Sequence, residues 1–472
     1  MTAERTLAEF IQEFTYDQIP DDVVRHIKRL LLTIVGTGIA GASEEGCGEL
    51  REMLVDRGGK PEATVMIFGD KLPATSAAQL NAVMCRALDY CDGMVPGIHI
   101  GSALIPAALA AAELRGGYSG REFITALVVG AEVGSRMNLT EEEYNGFDPT
   151  GVGTVYATTA VAARILELDK DQTLNALALA FNRCGGSFQS NVDGSLAVRL
   201  IEGWVAETGV TCALLAKRGL TGPANFISGV YGYLHLFARN KRDADTIVAG
   251  LGETYLLKEM LFKRYPSCGC TLGPTELALQ ACKEEKLKPE LVVSAEIRLT
   301  PYAYRLVGHE FSLGSNPTVS AQFNTKFCIA NALVRGGSEL SHFRKDAVGD
   351  PEVLGLIDRI KVVCDPDLDR RGHITAAELT VVTNDGRTRT SRLDVAPGFP
   401  ENPLNDIEHQ SRFEDCLNYA EIPLPEDQAN LLVSAIERLE ELGDIRFLVR
   451  LLVAPTAKSA TTSKERAVSR MG

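Results

Sequence analysis

The sequence predicts a mainly α-helical protein, a large all-helical domain with a smaller α+β lid domain inserted near its C-terminal end. Three observations predict it. A chain of 472 residues is too long for one compact core, so two domains are expected. From residue 75 to about 220, apolar runs rich in Ala and Gly alternate with short polar turns, and small residues let helix axes approach closely. After Lys263 the pattern changes to alternating β-branched runs, then returns to helical periodicity near residue 405. The expected boundaries are 1–263 with 404–454 for the discontinuous helical domain and 264–403 for the lid. Residues 455–472, rich in Ser, Thr, Lys and Arg, read as a disordered tail.

The elements follow in order. Leu7, Phe10, Ile11 and Phe14 have the i, i+3, i+4, i+7 spacing of one helical face. Pro20-Asp21-Asp22 starts a second helix, with acidic residues where the positive end of the helix dipole lies. From Leu30 to Ala40 that helix is apolar nearly all round, which predicts burial. Residues 62–68 suit a short extended piece. Helices are expected over 77–88, 103–114, 123–136, 155–166, 174–181 and 204–216. In the lid, 294–299, 360–364 and 379–383 read as strands. Asn384-Asp385-Gly386 is a hairpin turn signal before a further alternating run to Asp394. Helices are expected over 275–286, 320–334 and 350–358. Pro397, Pro400 and Pro403 mark the exit from the lid, and helices return over 406–419 and 427–442.

Hydrophobic residues make up 45% and charged residues 23% of the chain, the balance of an ordinary globular protein. A formal net charge of −14 argues against a nucleic-acid partner but not against a locally basic site for a small acid. The apolar runs are too short and too rich in Gly and Thr to span a bilayer. The start lacks a basic segment followed by an apolar one, so no signal peptide is expected. Eleven scattered cysteines fit reduced thiols in a cytoplasm better than a disulfide framework. Cys268-Gly-Cys270 is the one close pair, read as core residues or as reactive thiols, and the chain has no HxxH or HExxH motif. No metal is expected.

Chemistry concentrates in the turn between the helices expected over 77–88 and 103–114. Gly93, Pro96 and Gly97 interrupt the helix there. Asp89 and Asp92 precede the turn, and His99 follows it with Gly101 and Ser102, whose backbone N–H groups open the next helix to an anion. Carboxylate, imidazole and helix N-terminus are the parts of a proton-transfer site for an acidic substrate. The same residues also suit helix caps and a surface histidine. Asp148 before Pro149 is either a second base or the start of a turn. Tyr156 either supplies a phenol or packs in the core. Gln189-Ser190-Asn191 either binds a ligand or caps a helix, and Arg199 either holds a carboxylate or pairs with Asp193 or Glu202.

Several stretches together resemble the MmgE/PrpD family of 2-methylcitrate dehydratase, cis-aconitate decarboxylase and iminodisuccinate epimerase. They are Leu31 to Gly41, Asp89-Tyr90-Cys91-Asp92 with His99, and Gly146-Phe147-Asp148-Pro149-Thr150-Gly151. Further on come Gly219 to Pro223, Lys263-Arg264-Tyr265-Pro266 and Gln322-Phe323-Asn324. The resemblance covers the chain to about residue 450. It implies a homodimer with its site between a helical domain and a lid, acting on a small carboxylate without metal or organic cofactor. Asp89, His99 and Lys263 match the family's acidic, histidine and lysine positions, and Arg199 a basic one. Arg199, Ser102, Tyr156, Gln189 and Tyr265 are the candidate substrate contacts, with Asp148 where the family has a histidine. Cys91, Val198 and Leu272 stand where it has Asp, Lys and His. Three functions are carried forward. The first is a lyase, dehydratase- or decarboxylase-like, working by proton abstraction next to a carboxylate. The others are an isomerase or epimerase, and a non-catalytic binding protein on the same fold.

Overall fold

In the computed structural model, residues 2–455 are described, and apart from Pro455 the tail expected over 455–472 lies outside them. The fold is mainly helical, with a smaller mixed β-sheet region inserted between helical segments. The helices fall close to their periodicity. The first spans Ala3–Glu13, capped by the Thr2 side chain, which accepts from Arg5 N–H. The second spans Asp21–Gly41 and is buried at nearly every position from Leu30 onwards. Burying one such leucine or isoleucine stabilises the fold by roughly 1.5–3 kcal/mol.

The helices Ala74–Arg86, Gly101–Arg115, Gly120–Arg136, Val155–Ile165 and Ala197–Lys217 form the body of the larger core. Leu404, Phe413, Leu432 and Leu448, from the returning C-terminal helices, lie in the same core. Two small strand pairs flank this body. β1 (Ala63–Thr64) pairs with β2 (Lys71–Leu72), and β3 (Asp92–Gly93) pairs with β4 (Leu261–Phe262). The second pair positions the site.

A separate core is built around a four-stranded sheet of β5 (Val292–Leu299), β6 (Ile360–Cys364), β7 (Ala377–Thr383) and β8 (Thr388–Leu393), in the order β6-β5-β7-β8. β5 runs parallel to β6 and antiparallel to β7, and β7 and β8 form the hairpin at Gly386. Ala377, Leu379 and Val381 alternate into the core, as a one-sided sheet requires. One expectation fails here. The helix expected over 320–334 is two helices, Pro317–Gln322 and Thr325–Arg335. Asn324 breaks the run because its side chain accepts from Phe327 N–H, so it caps a new helix rather than continuing the old one.

Candidate active site

The helix Ala74–Arg86 stops one turn before Asp89, whose φ of 49° is left-handed. This reverses the chain and aims the Asp89 carboxylate back at the helix end. The next residues form β3, and its register sets Asp92 opposite Phe262. Lys263 therefore follows directly after β4, where its N–H donates to the Cys91 carbonyl at 3.3 Å. A third segment closes the junction, as Phe262 N–H donates to the Gly398 carbonyl at 2.9 Å. Gly398 has φ +95°, and a Cβ there would lie 2.1 Å from the Phe262 oxygen, so only glycine fits. The turn, β4 and the segment that follows the four-stranded sheet region thus meet at Phe262-Lys263. Lys263 Nζ lies 2.6 Å from Asp89 Oδ1, with both side chains buried.

Arg86 joins them from the helix end. Its guanidinium donates to Asp89, lies 3.4 Å from His99 Nε2, and comes within 3.9 Å of Glu202. Burial pushes the Asp89 carboxyl up, but Lys263 and Arg86 outweigh it and hold the group at about 2. Asp89 is therefore a fixed anion, suited to placing two cations and not to taking a proton near neutral pH. His99 Nδ1 lies 2.6 Å from the Asp92 carbonyl oxygen. A carbonyl only accepts, so Nδ1 carries the proton and the Nε2 lone pair is left facing Arg86. Burial, then Arg86 and Lys263, push the imidazole well below its ordinary range. His99 is thus a neutral imidazole with one fixed tautomer.

The helix N-terminus after His99 is not open. Asp92 Oδ2 accepts from Ile100 N–H at 3.0 Å and Gly101 N–H at 2.9 Å, so the chain supplies its own anion. Gly101 permits this approach, since a Cβ there would lie 2.7 Å from Asp92 Oδ1. The expectation of an external anion on these groups is corrected accordingly. The loop itself is buried rather than exposed, with Asp89, Cys91 and Asp92 in the interior.

Two cavities share His99. The first, of about 60 Å³, is lined by Asp89, His99, Lys263, Cys268, Cys270 and Tyr302, among others. The second, a recess of about 10 Å³, is lined by Arg86, His99, Asp148, Asn191, Val198 and Glu202, among others. Asp148 accepts from Thr150 N–H at 2.9 Å, the turn-starting bond the sequence allows, yet its side chain also reaches the recess. Burial pushes Asp148 up to about 6, against the Thr150 hydrogen bond and Arg86. Glu202 is fully buried, neither of its oxygens has a hydrogen-bond partner, and burial raises it well above the carboxylate range. The structure thus brings Asp89, His99, Asp148 and Lys263 around two adjoining cavities.

The five candidate substrate contacts lie elsewhere. Ser102 is fully buried inside the Gly101–Arg115 helix and lines neither cavity. Arg199 turns away because its helix face packs on the 44–47 turn: it donates to the Glu45 carbonyl at 2.6 Å and lies 3.8 Å from Glu44. Tyr156 stacks on Phe226 and meets Tyr233 edge-on in the core. Gln189 is exposed and donates to Asp193 at 2.7 Å. Tyr265 donates to Glu276 at 2.5 Å and faces a different groove. Leu272 is a core residue, and Cys91 Sγ lies 3.5 Å from His99 Nδ1.

The sequence reading missed Arg86, Glu202 and Tyr302. Glu202 carried a signal, a charge on the same helical face as the apolar Val205, Ala206 and Gly209. Arg86 ends a helix whose last turns, from Leu80 to Cys85, are buried throughout and apolar but for Asn81. Tyr302 carried none. It comes from the lid helix Pro301–Val307, and its hydroxyl donates to the Pro96 carbonyl.

Among the described residues, no group of three or more His, Cys, Asp or Glu side chains is arranged to hold a metal ion. No helix there is long and apolar enough to cross a membrane. The chain is 24% identical over 464 residues to the human protein named cis-aconitate decarboxylase, covering 96% of this chain and 94% of that one. It is 24% identical over 474 residues to the cis-aconitate decarboxylase-like protein oryM of Aspergillus oryzae, covering 96% and 97%. The cis-aconitate decarboxylase of Aspergillus terreus is 26% identical over 490 residues, covering 96% of each chain. Residues 5–245 match the MmgE/PrpD N-terminal domain and residues 265–437 the MmgE/PrpD C-terminal domain. The chain belongs to the MmgE/PrpD family.

Proposed function

We propose that this chain is a cofactor-independent lyase acting on a small carboxylic acid by abstracting a proton next to a carboxylate. The family is associated with lyase and isomerase chemistry on such acids. The observation that carries the proposal is the His99 imidazole, neutral and fixed in one tautomer by the Asp92 carbonyl, within a shell of two buried cations. Its Nε2 takes the proton from carbon. A depressed imidazole is a weak base, so the step relies on Lys263 and Arg86 to stabilise the enolate-like charge in a buried site. Asp148, held at about 6, is partly protonated near neutral pH and suits the acid that assists a leaving group. Asp89 keeps both cations in place.

The charge balance bears on the substrate. Arg86 and Lys263 oppose Asp89, and Glu202 is pushed towards its protonated form. Counting the groups that line the two cavities, and leaving out Asp92, whose carboxylate is taken up by the helix N-terminus, the site carries about one net positive charge with Asp148 protonated and none with it ionised. An acid less anionic than a tricarboxylate fits that balance.

The placement of His99 and Asp148 on one recess favours the second reading, an isomerase or epimerase in which Asp148 returns a proton to the same carbon. A panel of mono-, di- and tricarboxylic acids in deuterated buffer separates the readings. Deuterium uptake with loss of water or CO2 supports the lyase, and uptake without mass loss supports the isomerase. Neither effect with any acid that binds would leave a binding protein. On the acid that reacts, His99→Ala should lower turnover by about 10²–10⁴. A variant that keeps near-full turnover would remove His99 from the chemistry.

A further inference from the structure

We propose that Cys268 is a modification site: a nucleophilic thiol in the first cavity that reacts preferentially with small electrophiles carrying a carboxylate. It stands apart from the proton-transfer reading, because it needs only the thiol, its neighbours and the Lys263 charge.

Cys268 is the N-cap residue of the 17-residue helix Gly269–Glu285. Cys268 and Cys270 line the same cavity as Lys263, His99 and Asp89. A thiolate gains from a helix N-terminus and a nearby lysine. The neighbouring Cys270 side chain, then Lys263 and the Cys270 backbone N–H, favour the Cys268 thiolate and push the thiol below its ordinary range, against burial and the Asp89 charge. Cys91 is a useful contrast. It is fully buried and is pushed up to about 11 by that burial, despite Arg86 and Lys263 nearby. Cys268 is half-buried and reaches the cavity, whereas Cys364 is exposed on the sheet. Asp89 lines the same cavity and pairs with Lys263, but it is shared with Arg86, so Lys263 keeps charge to attract an incoming carboxylate.

In the covalent step the Cys268 thiolate attacks the electrophilic carbon and a C–S bond forms. With an α-halo acid the carbon–halogen bond breaks and halide leaves with its electron pair. With an α,β-unsaturated acid the π pair moves to the α-carbon, which then takes a proton from solvent. The proton of the starting thiol goes to solvent in both cases.

The test treats the full-length protein at neutral pH with limiting iodoacetate or iodoacetamide and maps alkylation by peptide mass spectrometry, with Cys364 as internal reference. Iodoacetate should label Cys268 about tenfold or more faster than Cys364. The ratio of iodoacetate to iodoacetamide rates should also be higher at Cys268 than at Cys364. Lys263→Met should erase that selectivity. Cys270→Ala should slow Cys268, and Cys270→Ser, which keeps a donor, should restore most of the rate. Labelling of Cys364 first by both reagents would overturn the proposal. So would equal reagent preference at the two cysteines in the unmodified protein, a result that needs no variant to fold.

Discussion

Two short segments, Asp89-Tyr90 and Lys263-Arg264, each present successive side chains to opposite sides, and the two sides differ in kind. Inward, Asp89 and Lys263 pair at 2.6 Å with 2% and 3% side-chain exposure and line a small cavity. Outward, Tyr90 and Arg264 line an open groove of about 570 Å³, where Arg264 pairs with Glu408 and both are more than a quarter exposed. Both sides are rich in charge. On the outer side water screens each pair and each group has an alternative partner. On the inner side the groups have only one another, so removing one leaves the rest uncompensated. Charge density therefore does not distinguish a site from a surface, but the absence of any alternative to the chosen partner does.

The largest expected effect breaks the inner side. Asp89→Asn leaves Arg86 and Lys263 as two buried cations without their anion and should cost about 3–5 kcal/mol in denaturant unfolding. An unchanged midpoint would mean that the cluster is solvated in solution. In the unaltered protein the Asp89 contribution is fully present above pH 3.8 and is lost as pH falls towards about 2.

Next comes the packing that holds Lys263 in place. His26 packs tilted and His409 edge-on against Phe262, with ring centroids 5.1 and 4.9 Å away. Burial pushes His26 down to about 4. The unfolded chain binds that proton below about pH 6.5 and the folded chain only below about 4, so stability falls as pH drops through this window. The shift corresponds to on the order of 3 kcal/mol. His26→Gln should narrow the stability gap between pH 7 and pH 4.5 by that order. An undiminished gap would assign the acid sensitivity to other groups.

Arg199 sharpens the comparison, being buried yet outside the site. Arg199→Met removes its charged hydrogen bond to the Glu45 carbonyl and should cost about 1–3 kcal/mol, while leaving turnover per folded molecule intact. A loss of turnover without loss of stability would return Arg199 to the site. The smallest effect belongs to the outer side. Arg264→Gln should change stability by no more than about 1 kcal/mol, and a larger change in melting would show that the groove is as dry as the cavity.

Much of the fold was legible because it follows from local spacing. The helix Asp406–Tyr419 and the strand Ile360–Cys364 lie where periodicity puts them. The helix expected over 320–334 failed where a side chain, Asn324, offered its backbone a better local bond. For the site, the sequence located the turn that carries Asp89 and His99, because Gly and Pro there exclude helix. It did not distinguish Lys263 from Arg199, since each is a basic residue beside apolar positions. Nor did it show that the N–H groups after His99 belong to Asp92.

By itself, then, the sequence determined the fold class and the turn that carries Asp89 and His99. Both rest on interactions within a turn or two of chain. The tertiary structure alone decided which charges meet, because Arg86, Lys263 and Glu202 reach Asp89 and His99 from separate elements. It also decided their protonation. Asp89 sits at about 2 and Asp148 at about 6 although the two carboxyls start alike, the difference being two cations beside the first and dominant burial around the second.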